Sequence, residues 1–523
     1  MFSKINERLP AFTISAMFIL CRAPYLNYAY YWDESWPYAV AIRDMYHHGI
    51  SLMPGAMDPE LSRGHPLFFH AIAAMWMHIF GDSHVSMHSF ALLISVLFLI
   101  SIYETSLSLF GKRMATLALL LVSIQEMFFV QSAMVLFEML VAFLSFLSLV
   151  FYVKERYILT ALCLTMVFYT KESGLIMGFV LGIDALAASR NKELPFRERM
   201  AKLLSVGIPC ILIGIFFLVQ KHLRGWYVFP LYSDLVKFDW DRFWYSFRIG
   251  SLHCIFVYQS RQYNFLLLVI LAVVAAFRQR HLRLLVVILP VVCVYYFVDD
   301  MRAGRLLPSI PFFLVFIFSG LWFIYVYSDR KYYPDANQRL LLRLSVLFIF
   351  CFLCFSSMNF FTARYLLAAM IPLLFVTAAS LNTLINLIEP RLYYAVVLTI
   401  LVTGAGAYIA NDNWGDADRG SFDALEVQQG VVDYFEKNAT GNENISTGSF
   451  LTLQHLTDPA SGFLHTEKAF KNVAWKFDDS TQYMVFDNIE IDVRYPDLKK
   501  LPKFHLARRI EKGKVWAEIY IKN

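Results

Sequence analysis

Charged side chains are scarce in this chain. Only 17% of the 523 residues are Asp, Glu, Lys or Arg, whereas 58% are hydrophobic and 17% are aromatic. Soluble chains carry about 25% charged residues, so the composition excludes a soluble protein with a single anchor. Apolar stretches recur from Pro10 to Ala410 and are separated by short charged loops. This pattern predicts an α-helical polytopic membrane protein rather than an outer-membrane barrel.

Cysteine is also rare, and its distribution argues against a disulfide framework. The seven cysteines fall almost all in apolar runs, and none lies beyond Cys354. Cys351 and Cys354 form a CxxC, but both lie inside a predicted span, where packing is expected rather than redox or metal chemistry. The run from Leu9 to Leu26 lacks a small-residue cleavage site, so we expect a retained first helix and not a signal peptide.

Lys and Arg are concentrated in alternate loops between the apolar runs. Examples are "FGKRM" (110–114), "VKER" (153–156) and "SRNKELPFRERMAK" (189–202). The positive-inside rule places these loops in the cytoplasm, together with "MFSKINER" at the N-terminus. Counting the runs between the basic loops predicts about thirteen helices. An odd number places residues 411–523 on the far side, which is the periplasm, the exterior or a lumen.

We expect two domains. Residues 1–410 form the transmembrane domain, whose first far-side loop spans residues 28–85 and carries juxtamembrane helices. The apolar segment 66–81 in this loop is too short to span comfortably and is predicted to lie in the membrane interface. Residues 411–523 are richer in charge and predict a small α/β domain outside the membrane. The prediction rests on a helix-like stretch and two alternating stretches: 422–438, 483–491 and 515–521.

Ionisable residues of both signs gather at the predicted far side. Charges near a bilayer are costly and usually serve ion pairs or function. A transporter would distribute polar groups at the midplane between repeats, whereas clustering on one side favours chemistry at an interface. The clustered residues are Asp33, Glu34, Arg63, His65, Glu138, Lys171, Glu172, Arg302, Arg305 and Arg364.

Each of these residues also has a structural interpretation when it is taken alone. Asp33 and Glu34, surrounded by aromatic residues in "YYWDESWPY", could be loop charges. Glu138 begins a span, where the helix dipole stabilises an acid. Lys171 could pair with its neighbouring acid in a surface turn, and Arg364 could anchor a helix end by snorkelling. Taken together and on one face, the residues predict a site.

The order of the motifs resembles the C-type glycosyltransferase (GT-C) superfamily, in the branch of the protein O-mannosyltransferases and the lipid A aminoarabinose transferases. In that family an acidic pair opens the first external loop, as in "WDESWPYAVAIRDMYHHG" here. A His- or Lys-Pro-Pro-Leu segment then leads a juxtamembrane helix that ends in Phe-Gly, which is similar to "GHPLFFHAIAAMWMHIFG". Glu138 matches the acid that starts the fourth span. The remaining matches are "LFGKRMA", "YTKESGL" and "ARYLLAAMIP", so the likeness covers residues 1–410.

The chain departs from the family pattern at several positions. Leu67 follows Pro66, so one proline of the Pro-Pro pair is missing, and Thr-Lys-Glu replaces Thr-Lys-Gly. His88 stands where an arginine usually heads the second span. The segment "RAGRLLPSIP" resembles a second copy of the Arg-Tyr-Leu-Leu motif. The sequence therefore leaves open which of three arginines contacts the phosphate: Arg302, Arg305 or Arg364.

The resemblance implies a sugar donor carried on a polyprenyl phosphate in the bilayer. The acceptor is expected to be extracytoplasmic and to be a protein, lipid A or another glycan. The expected reaction is an inverting displacement with Asp33 as the general base, while Glu34 and Glu138 position the acceptor or a metal. Cationic groups are expected to stabilise the departing phosphate. The expected substrate-binding residues are His65, Lys171, Glu172, Arg302, Arg305 and Arg364.

Several alternatives remain open at this stage. A divalent metal could bind at Asp33, His65 and Glu138, and no other cofactor is expected. The competing function is a lipid or glycan transporter or flippase, and an acyltransferase has only His65 in its favour. The sequence lacks a glycine-rich nucleotide-binding loop, and we expect no nucleic-acid partner. The expected location is a bacterial inner membrane, with the N-terminus cytoplasmic and the C-terminal domain periplasmic.

Overall fold

The structure is a computed structural model of the chain. It describes residues 2–235, 239–279, 323, 326–358, 362–466, 468–475, 477–490 and 503–523. Up to Ala410 the described residues are mainly helical, and beyond this residue they form a small domain built around a sheet.

The helices up to Ala410 form a bundle with short helices between the longer ones. Ala23–Tyr25, Trp32–Glu34, Glu172–Gly174 and Ala363–Leu366 are 3₁₀ turns, and Ser246–His253 is a π-helical segment. The α-helices are α1 (Phe2–Arg22), α2 (Tyr38–His48), α3 (Pro59–Ser62), α4 (Phe68–Phe80), α5 (His84–Phe110), α6 (Lys112–Ser123), α7 (Glu126–Gln131), α8 (Phe137–Val153), α9 (Tyr157–Phe168), α10 (Leu175–Arg190), α11 (Phe196–Arg224), α12 (Pro230–Leu235), α13 (Trp240–Tyr245), α14 (Cys254–Phe256), α15 (Arg261–Gln279), α16 (Ala336–Ser357), α17 (Leu367–Ile388) and α18 (Leu392–Ala410).

Seven helical segments of the described chain are long and apolar enough to cross a membrane. Shorter apolar helices accompany them, among them α4, whose 13 residues lie in the segment that the sequence predicts to be interfacial. At 1.5 Å per residue, α4 extends only about 20 Å, less than the hydrocarbon core of a bilayer. The count of about thirteen helices stays a prediction, since residues 280–322 lie outside the described residues. The seven segments are His84–Phe110, Glu172–Arg190, Phe196–Arg224, Arg261–Arg278, Ala336–Ser357, Ala363–Ile388 and Leu392–Ala410.

The segment Ala363–Ile388 lies at the centre of the bundle. In its most apolar window 83% of the residues are buried inside the protein, compared with 17% for Leu392–Ala410. The difference places the first segment among other helices and the second on the periphery. Helix α17, the main part of the central segment, packs against α6, α8, α15 and α16. The 3₁₀ turn before α17 is therefore held at the centre of one end of the bundle.

The C-terminal domain contains a sheet of five described strands in the order β2-β1-β3-β5-β4. Strand β1 pairs in parallel with β2 and β3, whereas β5 pairs antiparallel with β3 and β4. Helix α19 packs on β4 and β5, and α20 follows β1. The bounds are α19 (Gly420–Asn438), β1 (Asn444–Thr447), α20 (Phe450–Thr457), β2 (Asn472–Ala474), β3 (Tyr483–Asp487), β4 (Phe504–Lys512) and β5 (Val515–Lys522).

The C-terminal domain is docked on the loop that follows α1. The Tyr31 hydroxyl donates a hydrogen bond to the Trp414 carbonyl oxygen at 2.6 Å. The side-chain amide of Gln454 donates to the Ser35 carbonyl oxygen at 3.2 Å. The Phe422 ring stacks on Tyr25, with the ring centroids 4.2 Å apart. The domain therefore covers the end of the bundle that carries residues 24–37, and we name this end the docked end.

Candidate active site

Asp33 and Glu34 are adjacent in one 3₁₀ turn but lie in different environments. The Glu34 carboxylate is buried and accepts hydrogen bonds from the backbone N–H of Val135 at 2.7 Å and of Tyr31 at 3.2 Å. It also accepts one from Nε2 of His88 at 2.9 Å. The side chain of Asp33, by contrast, is 37% exposed. Glu34 therefore fixes the turn, and Asp33 is left facing an accessible region.

His88 completes the attachment of this turn to α5. Its Nε2 faces the Glu34 carboxylate, and its Nδ1 lies 2.9 Å from the Leu26 carbonyl oxygen. The ring therefore connects the turn that carries Asp33 and Glu34 to the end of the preceding helical region. His88 is the residue that stands where the family that the chain resembles usually has an arginine.

Arg364 is the centre of a buried ion network at the docked end. It lies in the 3₁₀ turn that precedes α17, and its side chain is only 1% exposed. One guanidinium nitrogen contacts the Asp33 carboxylate and another contacts the Asp416 carboxylate. A third, Nε, lies 3.7 Å from Oε1 of Glu138. A buried cation is tolerated only when it is paired in this way.

Lys171 extends this network to a second cation. Its Nζ lies 2.8 Å from Oε1 of Glu138 and 4.1 Å from the centroid of the Tyr365 ring. The second carboxylate oxygen of Glu138 is buried and has no hydrogen-bond partner among the described residues. Glu138 thus links Lys171 to Arg364 and still offers one free acceptor.

A separate pair lies next to this network. Nδ1 of His65 is 2.8 Å from a carboxylate oxygen of Glu172. The imidazole also contacts the Phe137 ring at a centroid distance of 5.5 Å and the Tyr232 ring at 5.8 Å. Residues from four segments distant in sequence therefore meet here.

Several of these residues line a cavity of about 510 Å³ whose lining combines ionisable and apolar side chains. Asp33 and Arg364 are not among the described residues that line it, although Tyr365, the neighbour of Arg364, is. Five members of the predicted ionisable cluster thus line one cavity. The charged lining consists of Arg63, His65, Glu138, Lys171 and Glu172, and the apolar lining includes Phe217, Val228, Phe229, Phe352 and Phe355.

Asp416 is the site residue that the sequence reasoning missed. It lies in the connector between α18 and α19, and its carboxylate contacts Arg364. Burial raises the pKa of Asp416 above its ordinary value, although the guanidinium of Arg364 acts in the opposite direction. The signal available in the sequence is the acid-rich stretch "NDNWGDADRG", which directly follows the last apolar run on the predicted far side.

The proposed metal ligands Asp33, His65 and Glu138 are not brought together. His65 is paired with Glu172, whereas Asp33 and Glu138 approach different nitrogens of the Arg364 guanidinium. A guanidinium already supplies the positive charge that a metal ion would bring to these two carboxylates. Among the described residues, only Asp433, Glu436 and His465 of the C-terminal domain form a group with metal-ligand spacing. We therefore assign no step of the reaction to a metal ion.

Arg302 and Arg305 lie outside the described residues, so their expected part in substrate binding stays a prediction. The other predicted site residues all lie at the docked end. They do not act as one group, because Glu34 fixes a loop while Glu138, Lys171, His65 and Glu172 line the cavity.

The chain is similar to known membrane glycosyltransferases. The sequence model of a family described as dolichyl-phosphate-mannose-protein mannosyltransferase matches residues 64–217. No curated protein matches the chain in sequence. The structure of ArnT from Cupriavidus metallidurans bound to undecaprenyl phosphate aligns over 97% of both chains, with a TM-score of 0.52 and 12% identity.

Two further solved structures are similar at a lower level. ArnT from Cupriavidus metallidurans in the apo state has a TM-score of 0.48 and 13% identity over 97% of both chains. The archaeal oligosaccharyltransferase AglB from Archaeoglobus fulgidus, in complex with an inhibitory peptide and a dolichol-phosphate, has a TM-score of 0.34 and 13% identity. This last alignment covers 93% of the present chain and 70% of AglB.

The helical bundle with its docked C-terminal domain has the same overall fold as ArnT from Cupriavidus metallidurans. This fold and the family-model match over residues 64–217 support the resemblance that the motif order predicts. The matched segment 64–217 holds four of the predicted site residues, and they line the cavity: His65, Glu138, Lys171 and Glu172.

Proposed function

We propose that the protein transfers a sugar from a polyprenyl-phosphate donor to an acceptor at the docked end of the bundle. The observation that carries this proposal is the mixed lining of the cavity, which Glu138 and Arg364 connect to Asp33. The lining offers cationic groups for a phosphate together with aromatic and aliphatic surface for a lipid. A donor with a charged head and an isoprenoid tail combines the same two chemistries.

The size of the cavity limits which part of the donor it holds. A volume of about 510 Å³ suits a small-molecule ligand. It accommodates the phosphate, the sugar and the first part of the lipid, so the rest of the polyprenyl chain must extend along the protein into the bilayer. Phe217 in α11 and Phe352 in α16 line the cavity, and both helices are membrane-spanning by length and composition.

Asp33 is the general base of the proposed reaction. It removes the proton of the acceptor hydroxyl while the hydroxyl oxygen forms a bond to the anomeric carbon. The bond from this carbon to the phosphate oxygen breaks, and the electron pair leaves with the polyprenyl phosphate. A single displacement of this kind inverts the anomeric configuration. Arg364 contacts Asp33 and is itself buried, so it acts as a positioning residue that orients the carboxylate.

Lys171 and Glu138 act on the donor. The leaving phosphate gains negative charge, and a nearby ammonium group stabilises it as the bond breaks. The free Oε2 of Glu138 can accept a hydrogen bond from a hydroxyl of the sugar, because it has no partner within the described residues. Glu34, buried and fully engaged with Val135, Tyr31 and His88, positions the turn that carries Asp33.

The C-terminal domain and the connector lie over the base and select the acceptor. We expect both to be extracytoplasmic, with the N-terminus in the cytoplasm and the protein in a bacterial inner membrane, because the basic loops follow the positive-inside rule. The acceptor is then a protein hydroxyl, lipid A or an envelope glycan.

Transfer by the purified protein tests this function. The protein is reconstituted in liposomes with polyprenyl-phosphate hexoses and pentoses and with an envelope extract as acceptor. We expect sugar transfer and stoichiometric release of polyprenyl phosphate, detected by mass spectrometry. Nucleotide sugars without a lipid carrier should give no product. Transfer from nucleotide sugars, or no transfer from any lipid-linked donor, would contradict the proposal.

A further inference from the structure

The basic side chains at the site differ in how far carboxylates already occupy them. Lys171 is paired with Glu138, and His65 is paired with Glu172. Arg364 contacts two carboxylates and lies outside the cavity lining. An anionic ligand that enters the cavity therefore meets these three groups only after competition with the protein's own acids.

Arg63 differs from these three side chains. It lines the cavity, and within the described residues no carboxylate pairs with its guanidinium. Its Nε is buried and has no hydrogen-bond partner in the same part of the chain. A buried donor of a charged group that lacks a partner is costly, so such groups are normally satisfied. The arrangement indicates a partner that comes from outside the chain and carries negative charge.

The backbone around Arg63 is held in an unusual conformation. Arg63 ends the short helix α3 with φ +52°, in the left-handed region that residues other than glycine rarely adopt. Gly64 follows with φ +74°, and a Cβ at this position would lie 3.0 Å from the Trp226 ring and 3.1 Å from Cβ of Phe229. The turn is therefore packed tightly against the segment that forms the apolar wall. Residues held in such conformations cluster at ligand-binding sites.

From these observations we infer that Arg63 is the main anchor of the donor phosphate. The inference rests on the proposed function and extends it by naming the group that binds the phosphate. A guanidinium can form two parallel hydrogen bonds to phosphate oxygens, which a single ammonium cannot. With the phosphate at Arg63, the ammonium of Lys171 lines the same cavity and can stabilise the charge that develops on departure.

Binding of undecaprenyl phosphate to the full chain in nanodiscs tests this inference. The variants are Arg63→Gln and Arg63→Lys, and the matched control is Arg508→Gln, which removes an exposed arginine from β4 of the C-terminal domain. Loss of a charge-assisted contact of about 1.5–3 kcal/mol weakens binding by about 10- to 150-fold. We expect this loss for Arg63→Gln, a smaller loss for Arg63→Lys, and wild-type binding for the control.

The outcomes separate this inference from the proposed function. If the wild type binds undecaprenyl phosphate and both Arg63 variants bind it equally well, Arg63 is not the anchor, although the function stands. If the wild type does not bind the lipid phosphate and does not transfer sugar from it, the proposed function fails and the inference fails with it. Arg63→Lys keeps the charge and the volume, so it provides the comparison if Arg63→Gln lowers the yield of folded protein.

Discussion

The carboxylate of Asp33 contacts the guanidinium of Arg364, although the two residues are 331 positions apart in the sequence. The pair joins the first loop of the bundle to the turn that begins its central helix. The same guanidinium contacts Asp416 in the connector to the C-terminal domain. The proposed base is therefore held by the interior of the bundle and by the docked domain at once.

Asp416→Asn should lower turnover more than donor binding. The substitution keeps the shape of the side chain but removes one of the carboxylates that orient Arg364, and Arg364 in turn positions Asp33. Misplacing a catalytic group by about 1 Å costs up to about 100-fold in rate, so we expect kcat to fall by about 10- to 100-fold while KM for the donor changes little. Asp416→Glu should restore part of the rate.

The matched control for this variant is Asp412→Asn in the same connector. Asp412 is half exposed and pairs with Lys514 at the surface, where an ion pair contributes little. It should leave kcat unchanged. Equal kcat values for wild type and Asp416→Asn would show that the connector does not position the base.

Glu34→Gln should act on stability rather than on chemistry. The buried carboxylate accepts hydrogen bonds from two backbone N–H groups and from His88, and an amide cannot accept all of them. Leaving a buried hydrogen-bonding group without its partner costs about 1–3 kcal/mol. We expect a clearly lower apparent melting temperature in detergent and a near-normal kcat per folded molecule. A variant that melts like the wild type but has lost turnover would instead make Glu34 a catalytic residue.

The sequence predicted the membrane bundle and pointed to most of the candidate site residues because the signals are local. Apolar runs mark the spans, and Asp33, Glu138 and Lys171 interrupt or border such runs. The different roles of Asp33 and Glu34 could not be predicted, because Glu34 is held by Val135 and His88, which are distant in the sequence.

Asp416 was missed for a similar reason. Its role arises only when the connector folds back on Arg364, and no local pattern in the connector encodes this contact. Arg63 was recognised as part of the charged cluster, but its lack of a carboxylate partner could be seen only in three dimensions.

Glu126→Gln should change how stability depends on pH. Glu126 lies outside the membrane-spanning helices, and it accepts hydrogen bonds from Asn411 and from the backbone N–H of Arg419. Burial raises the pKa of Glu126 from 4.5 to about 7. The folded protein thus binds this proton more tightly than the unfolded chain, so its contribution to stability is lost as pH rises from about 4.5 to about 7.

Melting curves between pH 5 and pH 8 measure this effect. The wild type should lose stability as the pH rises across this range. The Glu126→Gln variant should not show the part of this loss that comes from the titration of Glu126. At about 1.4 kcal/mol per pKa unit, the variant should be more stable than the wild type at pH 8 by on the order of 1–3 kcal/mol. If the stability of the two proteins changed with pH in the same way, Glu126 would not titrate in this range.

The most direct test of the account is sugar transfer by Asp33→Asn, measured together with donor binding. The substitution preserves shape and removes basicity, so binding of the polyprenyl-phosphate sugar should stay within a few-fold of the wild type. Loss of a general base costs about 10²–10⁴ in rate, and we expect kcat to fall by that amount. An Asp33→Asn protein that binds the donor and transfers the sugar at a near-normal rate would contradict the assignment of Asp33 as the base.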